Sequence, residues 1–355
     1  MPRSKAAQRS FSEAAASCPS VGDATRHVRV SAVVPVRNDN WRGNLNQRAE
    51  LTLPAQVEAF DEVVVVDFNS VGRPPLLEAL ALDISVRNRI VSVVVNASWC
   101  SSLMGFACGN YFGETAARNV GLRAATGEFV VSTNIDDLPP HRALLHSLAS
   151  RMGPEDGVLL PRVDIPLQAA TALFGKTDAN DALRQLQRRP LALGARPEKG
   201  CGYGAVDRFA FARSSWQGCQ NLAHLRSLGS NPVYKEERSI SRRPTKVFAR
   251  AMLLVGCPGD FQMASQTLWR RASFDSINLV HHGFGDHTLV AHWLNANATV
   301  CAPCDATVVH VSHKKVPSGT QQNDDAWNRW RFDAMGRFLR HAKSNVSAPV
   351  PLELV

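Results

Sequence analysis

The sequence contains short, almost uninterrupted apolar segments that alternate with segments of helical periodicity. Four apolar segments fall in the first 140 residues, at 28–36, 61–70, 89–95 and 127–137. Segments with helical spacing of apolar residues lie between them, at 45–60, 76–82 and 114–125. A strand that is apolar on both faces is typical of a parallel sheet covered by helices. The sequence therefore predicts an α/β fold with a mostly parallel central sheet and helices on both faces.

The chain of 355 residues is long enough for one large domain with a sizeable core. We expect a solvated N-terminal tail over 1–27, a single domain over 28–343 and a C-terminal tail over 344–355. The segment from about 165 to 250 is less regular and rich in Arg, Gly and Gln. We therefore expect a variable insertion there.

The charge balance favours an anionic partner. The formal net charge is +9, which suits nucleic acid, an acidic membrane surface or a phosphorylated small molecule. Aromatic residues make up only 7% of the chain, which argues against an extensive surface for stacking bases. A basic segment at 238–250 and a basic amphipathic helix at 327–342 leave nucleic-acid binding as an alternative. Such charge runs usually form a solvated face, so we expect no nucleic-acid partner.

Cysteine usage and hydropathy bear on the compartment. Eight cysteines are spread over the chain, which favours free thiols in a reducing compartment over a secreted disulfide framework. No apolar run approaches the ~20 residues that span a bilayer. The first 27 residues lack the apolar core of a secretory signal. We therefore expect no transmembrane segment and a cytoplasmic location.

Several signature motifs are missing from the sequence. It has no GxxxxGK[ST], no GxGxxG after the first strand, no HExxH and no GxSxG. These absences argue against P-loop, dinucleotide-binding, zincin and α/β-hydrolase proteins. Polar residues instead follow three of the apolar segments, at 37–39, 67–69 and 134–137. Because ligands bind beyond the carboxyl ends of the strands in such sheets, we expect the functional site at this edge.

Carboxylates at this edge predict a divalent metal. Asp136 and Asp137 follow an apolar strand, and such oxygen ligands suit Mg²⁺ or Mn²⁺ holding a diphosphate. Adjacent strand residues point to opposite faces, so only one of the two should bind the metal directly. The alternative is that both merely end the strand and cap a helix. Asp67 similarly either accepts hydrogen bonds from a nucleobase or ribose, or forms an Asx turn.

Histidines late in the chain are further candidate ligands. His310 and His313 follow a strand-like segment and would suit Mn²⁺ beside a carboxylate, although a core or surface role is the alternative. With Cys301 and Cys304 they could also be drawn as a zinc site, but the spacing is too short for a zinc finger. Asp286 precedes a helix-like segment, where it is either an N-cap or a general base for a hydroxyl nucleophile.

Six segments, in this order, carry a resemblance to a known family. They read VSAVVPVRND (30–39), VVVVDFNS (63–70), ETAARNVGLRAATGEFVVSTNIDD (114–137), GCPGDFQMASQTLWRRASFD (256–275), HHGFGDHTL (281–289) and HVSH (310–313). They resemble the GT-A glycosyltransferases, above all the family 2-like inverting enzymes and their galactosyl- and chondroitin-type relatives. The third segment is the strongest match. The resemblance spans residues 28–315, with 150–250 unmatched in detail.

This resemblance implies a hexosyltransferase that moves a sugar from a nucleotide-diphosphate sugar to a hydroxyl group of a glycan or another acceptor. It implies a donor-binding half over 28–140 and an acceptor-binding half over 141–343, with a UDP-sugar favoured as donor. Mn²⁺ or Mg²⁺ would be held by Asp136, His310 and His313. Asp286 would deprotonate the acceptor hydroxyl for inverting transfer. The implied donor-binding residues are Pro35, Arg37, Asn38, Asp67, Asn69, Arg118, Asn119, Asn134 and Asp260.

Two positions depart from the family pattern. Asn134 stands where the first aspartate of the usual DxD motif is expected, and Gly285 stands where a glutamate is expected. The first change removes one charge from the metal site, and the second alters contacts to the acceptor. Two alternatives therefore stay open: a catalytically silent module of the same fold that binds a glycan or nucleotide sugar, and a nucleotidyltransferase of similar fold.

Overall fold

A computed structural model describes most of the first 188 residues and several later segments. The described residues are 27–39, 43–104, 108, 113–160, 162–188, 196–197, 260–273, 289, 293, 296, 298–301 and 306–313. Asp286, the predicted helix at 327–342, both predicted tails apart from His27, and most of the predicted insertion lie outside them.

A seven-stranded sheet forms the centre of the structure. Its strands are β1 (Val30–Val36), β2 (Glu62–Phe68), β3 (Ile90–Val95), β4 (Phe129–Thr133), β6 (Asp156–Leu159), β9 (Phe261–Ser265) and β10 (Thr299–Cys301). Their order across the sheet is β10-β6-β9-β4-β1-β2-β3. Only β9 runs against its two neighbours, and the other pairings are parallel. The predicted mostly parallel sheet is confirmed.

Helices cover both faces of this sheet, as predicted. The side chains of β1 and β2 alternate between two buried clusters, because successive strand residues point to opposite faces. On one face Val34 and Val65 pack with the apolar side of α1 (Leu45–Ala59). On the other face Val33 and Val66 pack with α5 (Glu114–Ala124). The continuous apolar runs of β1, β2 and β4 therefore reflect burial on two sides, whereas the edge strand β3 is largely exposed.

Gly121 allows α5 to lie close against the sheet. A methyl group built at this position would overlap the side chain of Val33 and come within 2.9 Å of a methyl carbon of Val66. Any larger residue here would have to push the helix away from β1 and β2. The glycine thus fixes the distance between the sheet and the helix that carries Arg118 and Asn119.

A second, four-stranded sheet lies beside the carboxyl end of β4. Its strands are β5 (Asp137–Leu138), β7 (Arg162–Pro166), β8 (Arg196–Pro197) and β11 (Val308–Ser312), in the order β5-β11-β7-β8. Residues 157–166 look like a single strand in the sequence, but they belong to two strands. The structure divides that segment between β6 in the large sheet and β7 in the small one. The whole segment reads as apolar and strand-like, so its composition does not mark the point where the chain changes sheets.

The remaining helices are short. They are α2 (Leu76–Ala79), α3 (Ile84–Arg87), α4 (Ala97–Met104), α6 (Arg142–Ala149), α7 (Leu167–Phe174), α8 (Ala179–Arg188) and α9 (Gln266–Arg271). Among the described helices, none is long and apolar enough to cross a membrane.

Cys100 and Cys108 form a disulfide bond, with their Cα atoms 6.1 Å apart. The expectation of free thiols is therefore wrong for this pair. Cys100 lies in α4 and Cys108 comes eight residues later, and cysteine spacing alone does not reveal that the two are close in space. The bond joins α4 to the residues that precede α5.

Candidate metal centre

Polar residues from several strands gather at one edge of the large sheet. β1, β2 and β4 are parallel neighbours and end at Val36, Phe68 and Thr133. The predicted residues Arg37, Asn38, Asp67, Asn69 and Asn134 lie at or directly after these ends, and Pro35 lies within β1 beside Val66. The same edge receives Asp260, because β9 runs antiparallel to β4 and begins opposite Thr133.

The small sheet brings His310 and His313 to Asp136. β11 pairs with β5 so that His310 lies opposite Asp137, and the Val311 N–H donates to the Asp136 carbonyl oxygen at 2.8 Å. The His310 Nε2 atom then lies 3.3 Å from Asp136 Oδ2, and His313 Nε2 lies 3.6 Å from the same oxygen. One ligand atom from each of the three residues lies within 4.8 Å of the other two. The three residues predicted as metal ligands are therefore brought together.

Arg48 of α1 contacts the same carboxylate. Its Nη1 atom forms an ion pair with Asp136 Oδ2, and its Nη2 donates to the Gly43 carbonyl oxygen at 3.3 Å. The Arg48 residue is only 1% exposed. Sequence analysis did not identify this residue, since a single arginine within a helix carries no motif.

The surrounding cations set the charge of the centre. Burial alone would raise the pKa of Asp136, but His310, Arg48 and His313 together hold it below its usual range. Burial would lower the pKa of His310, but the carboxylates of Asp136 and Asp164 raise it to about 10. These shifts favour an ionised carboxylate at Asp136 beside the imidazole of His310 and the guanidinium of Arg48.

The prediction that only one of the two aspartates binds the metal directly stays a prediction, but Asp137 is not one of the three clustered residues. It is fully buried, and its Oδ2 accepts hydrogen bonds from the Asn134 N–H at 2.9 Å and the Thr133 hydroxyl at 3.1 Å. Burial raises the pKa of Asp137 well above its usual value, and the carboxylates of Asp260 and Asp136 add to the shift. Asp137 thus shapes the turn after β4.

Arg162 and Asp164 of β7 form an outer layer behind His310. Arg162 contacts Asp164 through Nε at 2.9 Å and Asp260 through Nη1 at 2.5 Å. His310 Nδ1 lies 3.0 Å from Asp164 Oδ1. Asp260 is therefore linked to the centre through Arg162. Neither Arg162 nor Asp164 was identified from the sequence, because their role depends on the pairing of β7 with β11.

Arg118 connects α5 to the end of β4. Its Nη2 donates to Asn134 Oδ1 at 2.6 Å and to Glu114 Oε1 at 2.7 Å, and its Nη1 donates to the Ser132 hydroxyl oxygen. Arg118 and Asn119 are both buried. Asn134, which replaces the first aspartate of the expected motif, is thus held by an arginine. The amide oxygen of Asn134 accepts this hydrogen bond from Arg118. Arg118 therefore has a neutral amide as its partner at position 134, where the family pattern has a carboxylate.

Asp67 organises a second group of loops at the same edge. Its Oδ1 accepts from the Ser70 hydroxyl, and its Oδ2 accepts from the Leu76 N–H at 2.5 Å. Burial raises the pKa of Asp67, and these hydrogen bonds offset only part of the shift. The Asn38 N–H donates to Ser70 Oγ at 2.8 Å, and its side-chain amide donates to the Pro74 carbonyl oxygen at 2.8 Å.

This second group fixes the local geometry of the loops. Arg37 forms an ion pair with Asp39, and Asn69 adopts a positive φ of 61°. Asp67 therefore fills the turn-forming role that was its alternative, and its contact with a nucleobase stays a prediction. The same holds for the predicted roles of Pro35, Arg37, Asn38 and Asn69.

Among known proteins, this chain shows similarity to solved structures but not to family profiles or curated sequences. No family profile and no curated protein matches the chain. The mannosyltransferase PcManGT from Pyrobaculum calidifontis, in complex with GDP-Man and Mn²⁺, is 18% identical over 92% of this chain, with a TM-score of 0.44. GalNAc-T7 with UDP, GalNAc and Mn²⁺ is 12% identical over 82%, with a TM-score of 0.45. S. aureus TarS 1–349 in complex with UDP-GlcNAc is 14% identical over 87%, with a TM-score of 0.44.

These matches are distant. The aligned part spans 67%, 45% and 66% of the three matched chains. With identities below 25% and TM-scores below 0.5, the similarity carries no conclusion about activity. The evidence on function comes from the cluster of Asp136, His310 and His313.

Proposed function

We propose that the chain is a metal-dependent GT-A glycosyltransferase that moves a sugar from a nucleotide-diphosphate sugar to an acceptor hydroxyl. The observation that carries this proposal is the cluster of Asp136, His310 and His313 at the carboxyl edge of the parallel sheet. This edge is where open α/β sheets bind ligands. A carboxylate with two imidazoles is a mixed oxygen and nitrogen donor set, which suits Mn²⁺.

Asp136 Oδ2 and the Nε2 atoms of both histidines would hold the ion. A bound divalent cation stabilises the negative charge that develops on the departing nucleoside diphosphate. The chain's own residues keep the three ligand atoms in place: β11 carries His310 and is followed directly by His313, and the turn after β4 carries the carboxylate. The side chains of Asp136, His310 and His313 are largely withdrawn from solvent.

The charges at the centre support joint binding of metal and diphosphate. Asp136 contributes one negative charge, and the buried guanidinium of Arg48 already offsets it. Asn134 adds no second negative charge. A divalent cation alone would therefore leave Asp136, Arg48 and the ion with a net positive charge in a buried place, which is costly. The anionic diphosphate of the donor supplies the missing charge, so we expect the ion to bind tightly only with the nucleotide.

The loops around Asp67 are the proposed nucleotide pocket. Residues 37–39 and 69–74 meet there through the hydrogen bonds of Asn38 and Ser70. Arg118, Asn119 and Asn134 border the same edge, and Asp260 approaches it from β9. We propose a UDP-sugar as donor and a glycan or other hydroxyl compound as acceptor. Asp286 is proposed as the general base of an inverting transfer on the strength of its sequence motif.

The direct test is a thermal-shift panel of UDP, GDP and their sugar conjugates, each with and without Mn²⁺. A ligand that binds the native state raises the melting temperature. We expect a clear rise only when nucleotide and Mn²⁺ are both present, and its loss in Asp136→Asn. Asp83→Asn is the matched control, since Asp83 caps the exposed helix α3. No shift with any nucleotide and Mn²⁺ would contradict the proposal.

The catalytically silent alternative predicts the same shift without turnover, and Asn134 and Gly285 are the residues that favour it. Release of nucleoside diphosphate from a sugar nucleotide separates the two. Catalysis predicts Mn²⁺-dependent release that is lost in Asp286→Ala, whereas a binding module releases none. A nucleotidyltransferase would instead consume a nucleoside triphosphate.

A further inference from the structure

His310 has its two ring nitrogens directed at two different carboxylates. Nε2 lies 3.3 Å from Asp136 Oδ2, and Nδ1 lies 3.0 Å from Asp164 Oδ1. The second contact follows from the sheet itself, because β11 and β7 run parallel with His310 directly opposite Asp164. The ring is therefore held from both ends, once by the centre and once by the neighbouring strand.

The number of protons on the imidazole ring determines which neighbouring side chain can form a hydrogen bond with Nδ1 of His310. A neutral imidazole carries one ring proton, so a ring that offers the Nε2 lone pair to a metal has its proton on Nδ1. That N–H needs an acceptor. Among the described residues, the side-chain atoms within hydrogen-bond distance of Nδ1 are Asp164 Oδ1 and Arg162 Nη2, the latter at 2.9 Å. Guanidinium nitrogens only donate, so Asp164 is the partner that can accept.

Arg162 in turn fixes the position of Asp164. Its Nε donates to the same Oδ1 atom at 2.9 Å, while its Nη1 donates to Asp260 at 2.5 Å. Two carboxylates therefore hold the guanidinium in place, and the guanidinium limits the rotation of Asp164. An acceptor that is already restrained loses little freedom when it orients the imidazole.

We propose that Asp164 is a positioning residue for the metal ligand His310. It accepts the Nδ1 proton and so keeps Nε2 directed at Asp136, where the ion is proposed to bind. Asp164 touches neither the ion nor the substrate and acts only through the ring. Outer-shell carboxylates of this kind affect metal affinity by roughly 10–100-fold. This inference rests on the metal site of the proposed function.

The test is a Mn²⁺ titration followed by electron paramagnetic resonance, without nucleotide and with UDP or GDP. The variants are Asp164→Ala, which removes the acceptor, and Asp164→Asn, which keeps an acceptor oxygen. Asp181→Ala is the matched control, because it removes an aspartate paired with an arginine on the exposed face of α8. We expect Asp164→Ala to weaken Mn²⁺ binding roughly 10–100-fold, Asp164→Asn to retain most of the affinity, and the control to match the wild type.

A second measurement needs no variant. With diamagnetic Zn²⁺ bound to the wild-type protein, ¹⁵N chemical shifts report which nitrogen of His310 carries the proton. We expect the proton on Nδ1. A Nδ1 without a proton would overturn the inference even if Asp164→Ala failed to fold. So would a folded Asp164→Ala with wild-type affinity, or an Asp164→Asn as weak as Asp164→Ala. If instead the wild type bound no Mn²⁺ under any condition, the proposed function itself would fail.

Discussion

The Asp136 carboxylate and the His310 imidazole lie 3.3 Å apart although the two residues are far apart in the sequence. Asp136 lies in the turn that leaves β4 of the large sheet, whereas His310 is the middle residue of β11 in the small sheet. The contact therefore joins the two sheets. It places a carboxylate beside an imidazole, and both side chains are largely buried.

Removing a ligand should abolish metal binding. We expect Asp136→Asn and His313→Ala each to reduce Mn²⁺ affinity by more than the roughly 10–100-fold that loss of an outer-shell partner costs. The reason is that each substitution removes one of three donor atoms that lie within 4.8 Å of one another. Calorimetric titration with Mn²⁺ and UDP measures the effect. Affinity within threefold of the wild type in either variant would contradict the assignment.

Arg48 should compete with the ion for Asp136. We expect Arg48→Met to lower the free energy of unfolding by roughly 3 kcal/mol without metal, because removing one partner of a buried ion pair leaves a charge behind. Added Mn²⁺ should restore more stability to this variant than to the wild type. Urea unfolding with and without Mn²⁺ tests both points. Arg184→Met, which removes an exposed arginine of α8, is the control and should change neither quantity.

Glu62 should make stability depend on acid pH. Burial raises its pKa, but hydrogen bonds from the Ser31 hydroxyl and from the N–H and hydroxyl of Thr126, helped by Arg29, hold it below the usual 4.5. A carboxylate with a lowered pKa stabilises the fold above its unfolded-state pKa and loses that contribution as the pH falls through its folded-state pKa.

The corresponding variant is Glu62→Gln. We expect it to be less stable by roughly 1–3 kcal/mol at pH 7 and to lose less stability than the wild type on acidification. Urea unfolding at pH 7, 5 and 3 gives both numbers. Glu58→Gln, at a half-exposed site beside Arg89, should follow the wild-type pH profile. A Glu62→Gln profile parallel to that of the wild type would contradict the assignment.

The Cys100–Cys108 bond should contribute measurably to stability. The two cysteines are eight residues apart in sequence, and closing a loop of this size is worth about 2–3 kcal/mol in the chain-entropy description. We expect Cys100→Ser to be less stable by this amount and a non-reducing peptide map to contain the linked pair. A map with both thiols free in protein purified without reductant would contradict the bond.

The close approach of α5 to the sheet should make Gly121 sensitive to any enlargement. We expect Gly121→Ala to lower the free energy of unfolding by roughly 1–3 kcal/mol, because the added methyl overlaps Val33. Since α5 also carries Arg118, the variant should weaken nucleotide binding as well. Gly153→Ala, whose nearest atom would be 3.4 Å from the new methyl, is the control. Equal stability of the two variants would contradict this packing.

The sequence predicted local features well and pairings across the chain poorly. β1, β2 and β4 were predictable because their apolar runs are buried on two faces, and Asp136 because a carboxylate follows such a run. The small sheet was not predictable. β5 has only two residues, and no turn signal in the sequence separates β7 from β6. Asp164 lies beside His310 because β7 pairs with β11, and the sequence does not show this pairing. Arg48 was missed for a similar reason, since its partner lies in a distant turn.

Late segments of the chain lie in the middle of both sheets. β9 lies between β4 and β6, and β11 lies between β5 and β7. During synthesis on a ribosome, β4 and β6 are therefore made before β9, the strand that lies between them. Likewise, β5 and β7 are made before β11. A nascent chain that stops before residue 308 has Asp136 but neither imidazole. The three clustered side chains are thus present together only after residue 313 has been translated, so that a product terminated before residue 310 lacks both imidazoles.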